Sequence, residues 1–270
     1  MIDPQTIAHL APVEKLLAIM AILRDKEKGC PWDIKQNFAT IAPCTIEEAY
    51  EVVDAIERQN MPDLQEELGD LLFQVVFYAQ MAMEAGLFDF NSIAETMANK
   101  LIDRHPHVFS FSTTMSDDKA VLVQWEDIKA KERANKQENN SQLSGVAMSL
   151  PALLRAAKLA KRAARTGFEW QTFAQAMAKI EEEITELKDA LNSKLLAEQE
   201  EELGDLLFAV ACLANKAGFC PEEALRKANH KFTHRFQWME KNLAEQKKEL
   251  SSQDLSQLQK LWQQAKNYIK

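Results

Sequence analysis

The chain has 270 residues, of which 46% are hydrophobic and 27% charged, and its formal net charge is −9. This is ordinary globular composition, and the negative charge would repel a nucleic acid backbone or an anionic membrane, so we expect neither as a partner. Only 7 Gly and 8 Pro are present, which leaves few residues for the turns of a strand-rich fold, and an all-α fold is therefore predicted.

Two helices are predicted at the start of the chain. The first spans 13–23, where apolar residues recur at helical intervals, and the segment KGCPWD at 28–33 follows it as a loop. The second is predicted to begin near Thr45, whose side chain can cap the helix together with Glu48 three residues later. The segment NMPDL at 60–64 ends this helix.

A third helix is predicted from about residue 62 to Gly86. It is apolar on most of its surface, which is typical of a central, buried helix. A fourth helix follows at 90–105. The same order of elements returns in the second half, with helices predicted at 151–164, 172–191, 200–218, 221–241 and 255–269.

A repeated octapeptide, EELGDLLF, explains why the same order of helices recurs in the second half. It occurs at 66–73 and again at 201–208, and the offset of 135 residues is half of the chain length. An internal repeat on this scale indicates a tandem pair of domains. The polar segment KQENNSQLSG at 136–145 has no hydrophobic period and is typical of a linker. The predicted domains are an N-terminal helical domain at 1–134, a linker at 135–150 and a C-terminal helical domain at 151–270.

The N-terminal stretch and the cysteines predict an untargeted, cytoplasmic protein. The N-terminal stretch lacks a basic leader, and no later run reaches the roughly 18 apolar residues of a membrane span. The four cysteines, Cys30, Cys44, Cys212 and Cys220, show no CxxC pair and no zinc-finger spacing. A reducing compartment suits these thiols.

Acidic residues keep the same offset in both halves. In each half, two pairs of carboxylates three residues apart lie on consecutive helices that must pack antiparallel, so four carboxylates can meet across the seam. The candidates are Glu48, Glu51, Glu67 and Asp70 in the first half and Glu183, Glu186, Glu202 and Asp205 in the second. A lone ExxE is usually a solvated helix face, but here the second pair sits in an apolar helix, where unpaired carboxylates are costly.

Divalent cations can neutralise such clusters. Carboxylate oxygens suit Mg²⁺ or Mn²⁺, and neither thiolate nor imidazole is part of the pattern. Gly69 and Gly204 lie inside the same helices, where a glycine costs about 1 kcal/mol, and they predict a close approach by another atom. Clusters of this kind most often serve phosphoryl chemistry.

A phosphate substrate also needs basic partners. Lys227, Lys231 and Arg235 recur every four residues and form a basic stripe on one helix face, while Lys100 and Arg104 form a shorter version in the first half. Such a stripe alone is usually a solvated face. Beside an acidic metal cluster, it is a candidate clamp for a triphosphate.

Three tryptophans have two readings each. Trp32 and Trp170 lie in matching loops and can serve as core anchors or as base-stacking platforms. Trp262, in the last predicted helix, can plug the bundle or contact a nucleobase.

These motifs together resemble the MazG family of nucleoside triphosphate pyrophosphohydrolases in its tandem form. The resemblance is carried by GCPWD, by ExxE followed after fifteen residues by ExxD and LLF, and by RHPHVF, and it covers nearly the whole chain. It implies an all-α homodimer that hydrolyses NTPs and dNTPs, ATP included, to the monophosphate and pyrophosphate with Mg²⁺.

The resemblance also implies roles for individual residues. The eight carboxylates above would be metal ligands, among which Glu183 and Glu186 would also count as catalytic. Water activated by the metal would attack the α-phosphorus, with Glu182 as the proton acceptor. The implied nucleotide-binding residues are Lys179, Glu182, Lys227, Lys231 and Trp262, with Arg235 at the pyrophosphate end.

The two copies need not be equally active. Since only the second has the three-residue basic stripe, we expect the C-terminal copy to be the main active site, while the first binds metal weakly or supports the dimer. Two other readings stay open. One is an acidic helical scaffold with vestigial metal sites, and the other is a general phosphatase that releases orthophosphate.

Overall fold

The structure is a computed structural model that describes residues 4–109, 128, 141–193 and 195–269. Within these ranges every regular element is a helix, which confirms the predicted all-α fold. The chain divides into two compact units, one up to residue 130 and the other from residue 131. Part of the predicted linker, residues 135–140, lies outside the described residues, so the domain boundaries stay a prediction.

The first unit is organised around one long helix. After a short 3-10 helix at Pro4–Ile7, the helices are α1 (Pro12–Leu23), α2 (Pro31–Lys35), α3 (Phe38–Glu57), α4 (Met61–Glu84), α5 (Phe90–Arg104) and α6 (Pro106–Phe109). Helix α4 packs most extensively against α3 and also contacts α1 and α5. It ends where Gly86 adopts a positive φ of 68°, a conformation that favours glycine.

The second unit repeats a long helical hairpin. Its helices are α7 (Ala152–Ala164), α8 (Phe173–Ser193), α9 (Leu196–Lys216), α10 (Pro221–Glu245) and α11 (Leu255–Tyr268), with a 3-10 helix at Leu250–Ser252 before α11. Helix α9 packs against both α8 and α7, whereas α10 packs mainly against α11. Because α8 and α9 are joined by a very short connection, they run antiparallel, and Gln199 near the turn donates to the carbonyl of Ala190 at 3.3 Å.

The predicted start of α3 near Thr45 is wrong. The helix begins at Phe38, where the Asn37 side chain accepts the Thr40 N–H at 3.1 Å and the Thr40 hydroxyl accepts the Asn37 N–H at 2.9 Å. Thr45 therefore lies inside the helix. The sequence was misleading because Pro43, which usually marks a first helical turn, sits inside α3.

Burial of α4 is confined to its second half. The buried residues of this helix all lie between Gln74 and Ala82, and the acid-bearing first half does not contribute to the core. Glu67 is only half-buried and Asp70 is exposed. The expectation that these two carboxylates are buried among apolar neighbours is therefore wrong for one chain.

The core of the first unit consists of large side chains from α1, α3 and α4. Its buried members are Met20, Ile41, Val76, Phe77 and Met81. Phe77 is fully buried and Ile41 is 2% exposed. A dense core of this kind leaves little room for a ligand between these helices.

Arg24 closes this core at the end of α1. Its side chain is 8% exposed and pairs with Glu84 at 2.7 Å, while its Nη1 donates to the carbonyl of Asp33 at 2.6 Å. The guanidinium carbon lies 5.4 Å from the centre of the Phe77 ring. One cation thus joins α1, α2 and α4.

No single helix among the described residues is long and apolar enough to cross a membrane. Helices α9 and α10, bent by 103° relative to each other, pass that test only when taken together.

Candidate functional site

The first acidic cluster lies between α3 and α4. One carboxylate oxygen from each of Glu48, Glu67 and Asp70 lies within 4.8 Å of the others. Partial burial, followed by the charges of Asp70 and Glu51, raises the pKa of Glu48. The pKa of Glu67 is likewise raised by desolvation and then by Glu51 and Asp70. Glu51 thus belongs to the electrostatic cluster, although its side chain is exposed.

The second acidic cluster occupies the matching place between α8 and α9. It brings together Glu183, Glu202 and Asp205 within the same 4.8 Å. Glu183 is 5% exposed and is the most buried of the eight candidate carboxylates. Desolvation and then a carboxyl contact with Glu183 raise the pKa of Glu186. Desolvation, followed by the charges of Asp205 and Glu183, raises the pKa of Glu202.

The hairpin geometry explains why both clusters form. Residues three apart on one helix share a face, and two antiparallel helices place such faces opposite each other. The structure therefore brings together the predicted acidic residues of each half, with Glu51 and Glu186 at the edges. Their role as ligands stays a prediction.

Lys179 distinguishes the second cluster from the first. Its ammonium nitrogen lies 2.8 Å from Glu183 Oε1 and 2.9 Å from Glu182 Oε1, and these contacts raise the pKa of the lysine. At the matching position, 135 residues earlier, the first copy has Cys44. At this position, the helix that carries Glu183 therefore supplies a positive charge to the second cluster, and the matching helix supplies none to the first.

Neither glycine of the acidic helices meets a close neighbour. A Cβ added at Gly69 or Gly204 would have no atom within 4 Å among the described residues. The expected close approach is therefore wrong for contacts within one chain.

The basic stripe lies on α10, whereas the acidic cluster of the same chain lies on α8 and α9. Lys227 pairs with Glu223 at 2.5 Å, and Lys231 is exposed. The Arg235 guanidinium donates to the carbonyl of Ile269 at 3.0 and 3.1 Å. The structure thus gives Lys227 and Arg235 partners within α10 and at the end of α11.

Trp262 on α11 is half-buried against the same stripe. Its ring centre lies 5.2 Å from that of Phe232 and 5.9 Å from the Arg235 guanidinium carbon. The side chain also packs on the cluster formed by Met239, Leu243, Leu261 and Ala265. Trp262 therefore packs against the helical bundle in this structure, as one of its two readings predicts. Its contact with a nucleobase stays a prediction.

Sequence reasoning missed a cavity in the second unit. It has a volume of about 510 Å³, lies between α7, α8 and the C-terminal half of α9, and is bordered by Trp170. Its walls are mostly apolar, with Asn215 among the few polar residues. The sequence does contain a signal for this cavity. The second copy has the small residues Ala176 and Cys212 at the positions where the first copy has Ile41 and Phe77.

The raised carboxyl pKa values predict a pH-dependent response to Mg²⁺. Because the folded clusters hold protons more tightly than the unfolded chain, the free energy of unfolding without metal should fall as pH rises above 4.5, the ordinary glutamate value, through the raised values. Mg²⁺ must displace these protons, so its stabilising effect should grow over the same interval. Thermal denaturation with and without Mg²⁺, from about pH 5 to about pH 8, measures both trends.

Glu202→Gln provides the control for this experiment. It removes one raised carboxyl, so both the loss of stability without metal and the gain with Mg²⁺ should be smaller. An equal gain with Mg²⁺ at every pH would contradict the prediction.

Comparison with known proteins places both halves in one family. The MazG nucleotide pyrophosphohydrolase domain matches residues 36–109 and 171–239. The nucleoside triphosphate pyrophosphohydrolase of Escherichia coli strain K12 is 50% identical over 256 residues, which cover 94% of this chain and 97% of that protein. The nucleoside triphosphate pyrophosphohydrolase/pyrophosphatase MazG of Thermotoga maritima is 42% identical over 94% of this chain and 95% of its own length.

Proposed function

The chain belongs to the MazG family and is a nucleoside triphosphate pyrophosphohydrolase, and from this premise we propose that it cleaves NTPs and dNTPs, ATP included, between the α and β phosphates with Mg²⁺. The products are the monophosphate and pyrophosphate. The observation that carries the proposal is the convergence of Glu183, Glu202 and Asp205 beside Lys179.

The donor set fits a hard divalent cation. Carboxylate oxygens from two helices converge, and neither sulfur nor imidazole belongs to either cluster, which favours Mg²⁺ with Mn²⁺ as the second choice. Glu183, Glu186, Glu202 and Asp205 would hold it in the second copy, and Glu48, Glu51, Glu67 and Asp70 in the first. When bound, the metal supplies positive charge to phosphate oxygens and makes water a better nucleophile at neutral pH.

Two residues of α8 complete the proposed catalytic group. Glu182 is exposed next to Glu183, and its carboxylate lies 2.9 Å from the Lys179 ammonium nitrogen, which supports its proposed role as the proton acceptor. Lys179 would balance the charge of the buried Glu183 and contact a phosphate oxygen of the nucleotide.

The remaining nucleotide contacts suggest a second chain. Within one chain, Lys227, Lys231, Arg235 and Trp262 lie on α10 and α11, whereas the acidic cluster lies on α8 and α9. The acid-bearing hairpins also expose large apolar side chains: Ile46, Tyr50, Leu68 and Leu72 in the first unit and Ile184, Leu191, Leu203 and Leu207 in the second. Exposed apolar faces of this kind mark association surfaces. We therefore propose a homodimer that covers the hairpins and completes the substrate clamp.

The C-terminal copy is proposed as the main active site. It has Lys179 where the first copy has Cys44. Its basic stripe also has one more cation, because the residue four positions before Lys231 is Lys227, whereas the residue four positions before Lys100 is Thr96. A triphosphate carries several negative charges, so the copy that offers more cations should bind it better. The free state of all four thiols favours the cytoplasm as the location.

Product analysis tests the reaction. We expect the protein to convert ATP to AMP and pyrophosphate with Mg²⁺, and to do so far more slowly with excess chelator. Phosphorus NMR distinguishes the alternatives, because a phosphatase would release orthophosphate and ADP. An acidic scaffold would turn over no member of a panel of NTPs and dNTPs.

A further inference from the structure

Helix α10 carries two histidines that are one helical turn apart. The side chains of His230 and His234 are exposed, and their ring centres lie 4.3 Å apart with an angle of 58° between the ring planes. Residues four apart on an α-helix are neighbours on one face, so both imidazoles project from the same side of α10. The other three histidines of the chain, His9, His105 and His107, do not recur at this spacing.

The ring nitrogens of this pair are available to a ligand. Among the described residues, neither imidazole forms a hydrogen bond or an ion pair. In contrast, Nδ1 of His105 lies 2.6 Å from the carbonyl oxygen of Leu101. Because the rings of His230 and His234 are also exposed, they contribute little to the core of the second unit.

The spacing of the pair suits two bonds to one metal ion. Two histidines at positions i and i+4 on a helix are the metal-binding element of zinc enzymes with the HExxH sequence. Each imidazole nitrogen lies about 2.1 Å from a bound ion, which places the two ring centres about 4.5 to 5 Å apart. The observed distance of 4.3 Å is close to this range, so small rotations of two exposed side chains complete the geometry.

Gln237 offers a third donor on the same face of α10. It is exposed and follows His234 by three residues and His230 by seven. Helical side chains lean toward the N-terminus, so the Gln237 amide is directed along the row of the two imidazoles. Imidazole nitrogen suits the later divalent cations of the first transition row, such as Ni²⁺, Cu²⁺ and Zn²⁺, whereas Mg²⁺ prefers oxygen ligands.

Neighbouring cations weaken such a site without closing it. Lys227, on the turn before the pair, is engaged with Glu223 at 2.5 Å, and the Arg235 guanidinium donates to the carbonyl of Ile269. Lys231 is exposed beside the pair and repels a divalent cation. Water and salt screen this repulsion, so it reduces the affinity for the ion but does not prevent chelation.

We propose that His230 and His234 bind a divalent cation of the Ni²⁺, Cu²⁺ or Zn²⁺ class, with Gln237 as a third donor. The site is distinct from the two acidic clusters, which consist of carboxylates and suit hard cations. It also does not depend on the pyrophosphohydrolase reaction. The chain then has two classes of cation site, and the second class lies on the helix that carries the basic stripe.

Calorimetric titration of Ni²⁺ into the full chain tests the site. Saturating Mg²⁺ is present throughout, so that it competes for the carboxylate clusters. We expect His230→Gln and His234→Gln each to weaken one Ni²⁺ site by about tenfold or more, because each variant keeps a single imidazole. Both positions are exposed and glutamine is a good helix former, so neither change should disturb the fold. Unchanged Ni²⁺ affinity in both variants would overturn the proposal.

His105→Gln is the matched control for these variants. The rings of His105 and His107 have centres 5.7 Å apart, and residues two apart in sequence do not face each other on a helix. The affinity for Ni²⁺ should therefore stay within about twofold of that of the unaltered chain. A loss in His105→Gln as large as that in His230→Gln would assign the ion to the other pair and contradict the proposal.

Paramagnetic broadening in proton NMR spectra identifies the ligands directly. Substoichiometric Ni²⁺ should broaden the imidazole signals of His230 and His234 before that of His9, and the opposite order would count against the site. Lys231→Gln removes the repelling charge, so it should strengthen Ni²⁺ binding by about two- to fivefold. Weaker Ni²⁺ binding in Lys231→Gln would contradict the proposed position of the ion.

Discussion

Glu186→Gln is expected to lower kcat/KM for nucleoside triphosphates by about 100-fold or more, whereas Glu51→Gln should change it by less than about twofold. Both glutamates are exposed and occupy matching positions, so neither substitution should disturb a core. Each replaces a carboxylate by a neutral amide of nearly the same shape. The loss at Glu186 follows from weaker metal binding in the copy that also has Lys179 beside its acidic cluster.

The comparison between these two variants contains its own control. Both remove one negative charge from an acidic cluster, so a general electrostatic effect would act on both equally. Steady-state kinetics with saturating Mg²⁺, and a titration of Mg²⁺ for each variant, separate weaker metal binding from slower chemistry. Full turnover in Glu186→Gln together with loss in Glu51→Gln would reverse the assignment of the active copy.

Arg24→Met is expected to reduce the free energy of unfolding of the first unit by about 3 kcal/mol. The substitution keeps much of the side-chain volume but removes the Arg24 hydrogen bonds to the carboxylate of Glu84 and the carbonyl of Asp33. Each acceptor then keeps a weaker, uncharged donor, from the Gln80 side chain and the Gln36 N–H respectively. The Arg24 hydrogen bonds lower the pKa of Glu84, so this stabilisation is present above 4.5 and is lost as pH falls through the lowered value. Urea denaturation at neutral pH and at low pH measures both effects.

Arg58→Met is the matched control for this prediction. Arg58 also pairs with two acidic residues, Asp54 at 2.6 Å and Asp63 at 2.7 Å, but its side chain is 42% exposed. Ion pairs in water contribute little, so the loss should be much smaller than that in Arg24→Met. Equal losses in the two variants would show that burial of Arg24 is not what makes its contacts strong.

Much of this architecture could be predicted from local patterns. Apolar periodicity is enough to locate α1 and α4, and the octapeptide repeat locates the second acidic hairpin. These predictions succeeded because helix faces and short connections depend on residues close in sequence. The predicted start of α3 is wrong because Asn37 and Thr40 cap the helix earlier, so that Pro43 lies inside the helix instead of in its first turn.

The other features that the sequence does not predict depend on how the helices pack against one another. An apolar helix such as α4 is expected to be buried throughout, yet its buried side chains all lie in its second half. The cavity beside Trp170 results from two small side chains on different helices, and only their comparison with Ile41 and Phe77 makes them informative. Contacts of this kind have no local signature in one sequence.

The placement of the largest buried side chains has a consequence for how the two units fluctuate. Among the described residues, the largest fully buried side chains are Phe77, Met20, Ile41 and Val76, and all belong to the first unit. Backbone amides around them should therefore exchange with solvent only through rare openings, while those around the cavity of the second unit open more readily. Duplication has in this way allowed one copy to act as a rigid anchor. The second unit can then keep the open space between its helices that a rigid core would fill.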